Sequence, residues 1–412
     1  MATERTIGVG ITGTGGRGTT CLGQRIVETA AETGFRVVAV NDVNPERMKE
    51  AKGYLTAKFA AAGVQTDIQC HPTDTELVAD PNVDIVIVTS PQYAHCKNAT
   101  IGLRSGKKTY VDKPIAHNLE DAARIVEAEA SADSPILMGF TRRYEKAWRT
   151  AFSMIQDGVI GETRMLLLRA VIPSHVYFHK FYRRREWSGG VLNEKSAHHF
   201  DVFNWFAQSR VTQLSAIGGQ AVYRPRDDSP TRCSECDCEC PYRIGARGQA
   251  EAQDQIALFG RSWMDETEEI YRHDNCVYLP GADNCDHATV QMLYENGVTA
   301  SLFLCVFGPR AHDAETFEIV GTSGRIILDR HGAKLDVASD YGKKQEIIDC
   351  RDAETKSSHF GADLELVREM RRWYDGAIPI VSAKDGYQAT RMSLAAVQSL
   401  TDSGAVVPLP AH

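Results

Sequence analysis

The chain has 412 residues, enough for two or three domains, and its 43% hydrophobic and 24% charged residues match an ordinary soluble globular protein. A net charge of −8 argues against general affinity for nucleic acid, although an acidic chain can still hold a local basic pocket. No run approaches a membrane span, and no basic segment followed by an apolar run precedes the first strand; the expectation is no membrane partner, no signal peptide and a cytoplasmic location.

The first third alternates strand and helix. Residues 7–11 read as a buried strand, 17–31 as a helix, 36–40 as a second strand and 45–61 as a helix. The run VDIVIV at 83–88 is continuously apolar, as a central parallel strand covered on both faces should be. A helix at 94–103, a strand at 108–111, a helix at 119–130 and a strand at 136–138 complete a doubly wound parallel sheet over residues 1–140. After Phe140 the pattern changes. A helix at 145–157 ends at Gly158, and strands then dominate: 165–172, 211–218, 289–294, 298–306, 317–320, 325–328 and 334–337, interrupted by a helix at 197–208. Helices at 361–374 and 385–399 close the chain. Residues 141–412 therefore read as a C-terminal α+β domain with a largely antiparallel open sheet, the surface expected to join copies in a homo-oligomer. An irregular, cysteine- and charge-rich insertion occupies 224–280.

The segment Gly13-Thr14-Gly15-Gly16-Arg17-Gly18 follows the first strand directly and opens a helix. In that context the glycines permit a tight turn and let a pyrophosphate approach backbone amides at a helix N-terminus, as in a Rossmann domain. Asp42, at the end of the second strand, stands where an acid binds adenosine ribose hydroxyls. Its carboxylate favours NAD over NADP, whose 2′-phosphate it would repel, while Arg17 and Arg47 keep NADP open. Thr89-Ser90-Pro91 lies just after a central strand, at the carboxyl edge where such sheets bind ligands. Ordinary turn chemistry before a helix explains Thr89 and Ser90 equally well.

These motifs, taken with His95 four residues after Pro91, resemble the glucose–fructose oxidoreductase / inositol dehydrogenase / MocA family. Asp112-Lys113-Pro114 is similar to its Glu-Lys-Pro motif. The stretch Gly189-Gly190-Val191-Leu192-Asn193-Glu194-Lys195-Ser196-Ala197-His198-His199-Phe200-Asp201 is similar to its glycine-rich segment ending in Asp-x-x-x-His-x-x-Asp, and Gly321-Thr322-Ser323-Gly324 resembles a turn of its second domain. The resemblance spans all but the insertion. It implies an NAD(P)-dependent oxidoreductase acting on a secondary hydroxyl of a sugar, glycoside or polyol, with Gly13, Gly15, Gly16, Arg17, Gly18, Asp42, Thr89, Ser90, Pro91, His95, Asp112 and Lys113 on the cofactor side. Two departures stand out. Asp112 replaces a glutamate, and Glu194 replaces an aspartate, one methylene longer, which leaves the reaction outcome open.

The chemistry follows from the residues as well. Oxidising a secondary alcohol needs a base for the hydroxyl proton while hydride leaves carbon. An ammonium near a pyridinium has a lowered pKa and can stabilise an alkoxide, a role for Lys113. His198 titrates in the range of a proton acceptor, and Glu194, one helical turn earlier, can orient it or bind substrate hydroxyls. The plainer alternatives are a surface lysine and a core histidine. Arg142, Arg143 and Tyr144 follow the last strand of the first domain. The segment His175 to Trp187 supplies His175, His179, Arg183, Arg184 and Trp187, suited to stack on a sugar ring and hold an anionic group such as a uronide or sulfonate. Basic residues paired to surface acids are the other reading of this segment. His199 completes the substrate-side candidates, although its position on the helix favours a structural role.

Cys233, Cys236, Cys240 and Cys276 supply four thiolates, enough for a structural zinc ion, with Cys238 as an alternative ligand. Free thiols or one disulfide are the alternatives. Two functions compete with the dehydrogenase: a redox-neutral glycosidase that oxidises C3, eliminates the aglycone, adds water and reduces the ketone again, and a non-catalytic NAD-binding scaffold. Retention of Lys113, Glu194 and His198 together argues against the scaffold.

Overall fold

The computed structural model describes residues 6–243, 268–309, 311 and 313–411. These fall into two compact units. The first holds the described residues of Met1–Phe140, Asp237–Asp274 and Asp363–Tyr387; the second holds Thr141–Cys236, Asn275–Ala362 and Gln388–His412. The described residues of 237–274 and the stretch 363–387, read from sequence as part of the second domain, thus group with the first.

The first unit is built on six parallel strands: β1 (Ile7–Thr12), β2 (Phe35–Asn41), β3 (Gln69–Cys70), β4 (Ile85–Val88), β5 (Lys108–Asp112) and β6 (Leu137–Gly139), in the order β3-β2-β1-β4-β5-β6. Every residue of β1 and β4 is buried, as continuous apolar runs require when helices cover both faces. The order reverses at β1, which pairs with β2 on one side and β4 on the other. In open sheets of this kind the ligand crevice opens at such a switch point, outside the carboxyl ends of the strands. The helix Pro45–Ala61 starts where its sequence says: proline occupies the first turn, and Asn44 accepts from the Glu46 and Arg47 amides. The helix expected over 17–31 opens with a π-helical turn, Arg17–Gly23, before Gln24–Glu28. The closing helix Ala362–Tyr374 is tied to this unit by Lys108, which donates to the Trp373 carbonyl at 2.8 Å, and by Trp373, which donates to Pro135 at 3.1 Å.

The second unit carries nine strands: β7 (Thr163–Val171), β8 (Val211–Gly219), β9 (His287–Tyr294), β10 (Thr299–Cys305), β11 (Glu315–Gly321), β12 (Arg325–Asp329), β13 (Lys334–Ser339), β14 (Lys344–Asp349) and β15 (Val407–Pro408). Their order is β14-β13-β12-β11-β7-β10-β9-β8-β15. Only the β7–β10 pair among them is parallel. Alternation along the strands buries Leu166, Leu168, Phe317, Ile319, Leu302 and Leu304 on one face. There Phe317 meets Trp148 at 5.2 Å and Phe206 at 5.0 Å, joining the helices Lys146–Gln156 and Ala197–Ala207 to the sheet. The other face leaves Met165, Leu167 and Phe303 exposed. Strand β14 escapes a sequence reading because its residues are nearly all exposed and polar, with no apolar face to betray the period. Among the described residues no helix is long and apolar enough to cross a membrane.

Candidate functional site

In the first unit the glycine loop leaves β1 with Gly13 at φ +88°, where a Cβ would lie 2.3 Å from the Ser90 amide nitrogen. Glycine is therefore required for the loop to pack against the Thr89–Ser90 backbone. Thr89 Oγ1 closes that contact by donating to the Gly13 carbonyl at 2.8 Å. Gly18 is equally constrained, since its Cβ would meet the Gly13 carbonyl oxygen at 2.4 Å. A Cβ at Gly15, by contrast, would meet nothing within 4 Å. The residues thus fit a dinucleotide: the loop is packed on its inner side and open at Gly15, where a pyrophosphate approaches a helix N-terminus.

Asp42 is buried, and its acceptor positions are spoken for. Oδ2 accepts from the Thr14 amide at 2.8 Å and the Thr14 hydroxyl at 3.0 Å. Oδ1 accepts from the Asn44 amide at 2.9 Å and from Arg47 at 3.4 Å. A carboxylate has about four acceptor positions, so a ribose hydroxyl would have to exchange with the long Arg47 contact.

Lys113 follows β5 at the carboxyl edge, and its amide donates to Asp112 Oδ1 at 2.7 Å. Asp112 and Arg17, expected to face the cofactor, are occupied by each other. Arg17 Nε donates to Asp112, Nη1 to Asp363 at 2.6 Å and Nη2 to the Tyr110 hydroxyl at 3.4 Å. Tyr110 in turn donates to Asp112 at 3.2 Å. Asp112 thus holds the Lys113 turn from behind. His95 is a strut of the same kind: its ring nitrogens lie 2.9 Å from the Pro114 carbonyl and 2.7 Å from the Ser90 carbonyl, and burial lowers its pKa. It braces the Lys113–Pro114 turn against the Ser90 loop.

In the second unit Gly189 and Gly190, both at positive φ, turn the chain from the short helix Arg185–Ser188 into Val191–Glu194. Asn284 Oδ1 accepts from the Val191 amide at 3.0 Å, and Asn193 donates to the Ser188 carbonyl at 3.0 Å. Glu194 ends this turn, and His198 lies in the first turn of Ala197–Ala207; both are buried. Arg143 fixes the second helix by a bidentate pair with Asp201 at 2.7 and 3.0 Å.

Around these two lies a buried ion network that the sequence did not announce. Glu315, the first residue of β11, accepts from Arg142 through Nε at 2.9 Å and also through Nη2, and from Arg330 at 3.4 Å. Arg330 also donates to Glu145 at 2.7 Å. Lys195 and His199 lie 4.0 and 3.9 Å from Glu315. Burial would raise the Glu315 carboxyl, yet Arg142 and Arg330 hold it well below the ordinary carboxylate range. Burial, then Arg142, drives His199 well below the ordinary imidazole value. Tyr177 belongs here too. Burial raises its phenol, and the Glu194 carboxylate adds to the shift, so it stays protonated beside Glu194.

Several substrate-side candidates have other tasks. Arg142 and His199 belong to the Glu315 network, and Tyr144 is buried. His179 is fully buried, with Nδ1 donating to the Asn275 carbonyl at 2.6 Å, and its ring meets His175 at 5.4 Å. Arg183, also fully buried, donates to the Leu279 carbonyl and to that of Pro280 at 3.1 Å. Both pin the return limb of the insertion. Arg184 stacks over Trp187 at 5.2 Å.

The zinc expectation finds no support among the described residues. Among the described residues no three His, Cys, Asp or Glu side chains are arranged to hold a metal ion, and none of the eleven cysteines forms a disulfide. Cys233 and Cys276 are buried, Cys236 and Cys240 are half-buried, and Cys238 is exposed. The Cys233 sulfur lies against His179 Nδ1 at 3.9 Å, a nitrogen whose proton is already given to Asn275. Residues 244–267 of the insertion lie outside the described residues.

Comparison with known proteins gives a consistent picture. A family model described as an oxidoreductase family with an NAD-binding Rossmann fold matches residues 7–140, and one described as the C-terminal alpha/beta domain of that family matches 153–409. Inositol 2-dehydrogenase 3 of Saccharopolyspora erythraea is 26% identical over 420 residues, covering 98% of this chain and 96% of its own. An oxidoreductase domain protein of Kribbella flavida shares the fold with a TM-score of 0.76 at 16% identity, over 98% of this chain and 100% of that one. Levoglucosan dehydrogenase, solved with NADH and levoglucosan, does so with a TM-score of 0.73 at 16% identity, over 99% and 100%.

Proposed function

Because the chain belongs to the glucose–fructose oxidoreductase / inositol dehydrogenase / MocA family and is an NAD-dependent oxidoreductase, we propose that it oxidises a secondary hydroxyl of an uncharged cyclic polyol or sugar. The observation that carries this is Lys113, set at the carboxyl end of β5 in the sheet whose glycine loop fits the cofactor, and braced there by Asp112 and His95. Relatives named for inositol and levoglucosan dehydrogenation support the substrate class.

NAD, when bound, supplies the hydride acceptor. Lys113 holds the developing alkoxide with its ammonium, and His198 takes the hydroxyl proton. Glu194 accepts hydrogen bonds from ring hydroxyls, with the protonated Tyr177 beside it. The alcohol carbon loses a hydride and its oxygen a proton, leaving a ketone. An uncharged substrate is favoured because the cations expected to bind an anionic sugar are committed: Arg142 to Glu315, Arg183 to two carbonyls, and Arg184 to the Trp187 ring and Glu186.

The test is single-turnover NADH formation from a panel of inositols, levoglucosan, uronates and aryl glycosides. Lys113→Ala and His198→Ala should each slow NADH formation by roughly 10²–10⁴-fold, the usual contribution of a positioned acid or base, with NAD affinity little changed. Near-normal turnover in either variant removes that residue from its role. Aglycone release without net NADH would replace this reading by the redox-neutral glycosidase, and faster oxidation of uronates than of inositols would overturn the assignment of an uncharged substrate.

A further inference from the structure

The limb that returns from the cysteine-rich insertion to β9, residues 275–286, contacts the segment 175–191 along its length, all within the second unit. The Asn275 carbonyl receives His179, and the Leu279 and Pro280 carbonyls receive Arg183. The Asp283 amide donates to the Arg183 carbonyl at 3.2 Å, and the Asp283 carboxylate accepts from the Arg185 amide at 2.8 Å. Asp286, fully buried, anchors the far end by accepting from the Ala221, Val222 and Tyr223 amides at 2.9, 2.7 and 3.0 Å. Asn284 is where the limb reaches the turn that carries Glu194. It is 2% exposed and uses both ends of its amide. Oδ1 accepts from the Val191 amide at 3.0 Å; Nδ2 donates to the Tyr177 carbonyl at 3.3 Å and to the Tyr182 carbonyl. One side chain thus joins an amide three residues before Glu194 to two carbonyls of the segment that carries Tyr177.

The hydrogen bonds that Gly190 and Asn193 make to Ser188 stay within the turn, so they shape it without placing it. Gly190 sits close against the limb: its Cβ would lie 3.1 Å from Asn284 Oδ1. Beside the turn is a cavity of about 200 Å³, lined by Val191, Leu192, Cys285, Val397 and Leu400 among others, so apolar packing there is incomplete. We propose that Asn284 is a positioning residue for the oxidation: by tying the Val191 amide to the Tyr177 and Tyr182 carbonyls it sets where the Glu194 carboxylate meets ring hydroxyls, which makes the return limb a determinant of which cyclic polyol is accepted. Asn284 acts only through the turn. A shift of the turn changes the reach of the carboxylate relative to the ring, so isomers that differ in one hydroxyl are affected unequally. The proposal rests on the reading of Glu194 as the group that receives ring hydroxyls.

The experiment is steady-state NADH formation by the full chain from inositol stereoisomers at saturating NAD. Asn284→Asp keeps the size and the acceptor for Val191 and removes both donors. KM for the best isomer should rise roughly tenfold, the scale of one lost buried hydrogen bond, with kcat within about threefold and NAD affinity within about twofold. Loss of folded protein acts differently: it lowers kcat per chain and leaves the KM of the surviving molecules unchanged. In a Glu194→Gln background, Asn284→Asp should add less than about twofold to the Kd of the same isomer on the NADH-loaded chain. If the variant does not fold, hydrogen exchange of the native NADH-loaded chain decides: the isomer should slow exchange in residues 190–194 and 279–286 together. An unchanged KM, a full tenfold effect in the Glu194→Gln background, or protection of 190–194 alone overturns the proposal and leaves the dehydrogenase reading intact. A native chain that oxidises no polyol would remove the reading of Glu194, and the proposal with it.

Discussion

Each unit holds its candidate reactive residues with a charged network, and the two networks are built on opposite plans. Behind Lys113 a single guanidinium, Arg17, lies between two carboxylates, Asp112 and Asp363, and its side chain is still 21% exposed. Beside Glu194 and His198, three cations (Arg142, Arg330 and Lys195) surround two carboxylates, Glu145 and Glu315, and Glu315 is 1% exposed. The first network is a clamp that water can partly relieve. The second is closed to water, so every charge in it depends on the others being present. The candidate residues of the first unit are thus held by local packing of a glycine loop with modest electrostatic help, while those of the second are held by buried charge.

The largest effect expected from this contrast, after loss of Lys113 or His198 themselves, is at Glu315. Glu315→Gln leaves Arg142 and Arg330 buried with half their compensation, and breaking a buried pair costs about 3–5 kcal/mol. Urea unfolding should register that loss, with a shift of midpoint at unchanged slope. A cost below about 1 kcal/mol would mean that the network is solvated and the contrast is false.

Arg17→Met sharpens the same comparison from the other side. It leaves Asp112 and Asp363 facing each other, but the site opens partly to solvent, so the expected cost is about 1–3 kcal/mol. The effect should also reach the Lys113 turn, because Asp112 Oδ1 holds its amide. NADH formation should fall more than NAD affinity does. If NAD binding is lost while turnover at saturating NAD is unchanged, Arg17 contacts the cofactor directly and the clamp is misread.

The sequence made one of these regions far more legible than the other. The glycine loop, Asp42 and the Asn44-Pro45 helix start are local patterns, each carrying its own reason within a few residues, and strands such as β9 and β10 of the second unit show themselves by alternation. Glu315 gave no such sign. It is the first residue of a strand, and its main partner Arg142 lies 173 residues away. Arg142 reads from sequence only as a cation after β6, and with no local partner in view the pattern points to a ligand. The same holds for His179 and Arg183, whose carbonyl partners at Asn275, Leu279 and Pro280 lie about 96 residues on, in the return limb of the insertion. Cysteine spacing pointed to zinc because spacing is local, whereas an assembled site depends on how the intervening loop folds. Tyr177, beside Glu194, and Asn284, which holds its helix turn, stand in no sequence pattern.

The smallest expected effect concerns pH and separates the two networks by their histidines. His95 of the first unit and His199 of the second both have pKa values lowered first of all by burial, but Arg142, Lys195 and Arg330 lower His199 further against the opposing pull of Glu315, whereas Asp112 raises His95. A histidine whose folded pKa lies below its unfolded value stays neutral in the native state while the unfolded chain takes up a proton. Its contribution is intact above the unfolded pKa of about 6.5 and is lost as pH falls below it. For a histidine as depressed as His199 the loss approaches about 1.4 kcal/mol for each pH unit below that value, until its folded pKa is reached. The depressed Glu315 carboxyl follows the same rule in a lower window, its contribution beginning to fade only near pH 4.3 and below, so the two do not overlap between pH 7 and 5. Urea midpoints of the native chain should therefore fall between pH 7 and 5, and His199→Asn should flatten that fall more than His95→Asn does. The comparison uses slopes, so any constant cost of either substitution cancels. Equal flattening by the two variants would show that the surplus of cations around Glu315 has no hold on His199, and an unchanged slope in His199→Asn would show that this histidine is charged in the native state.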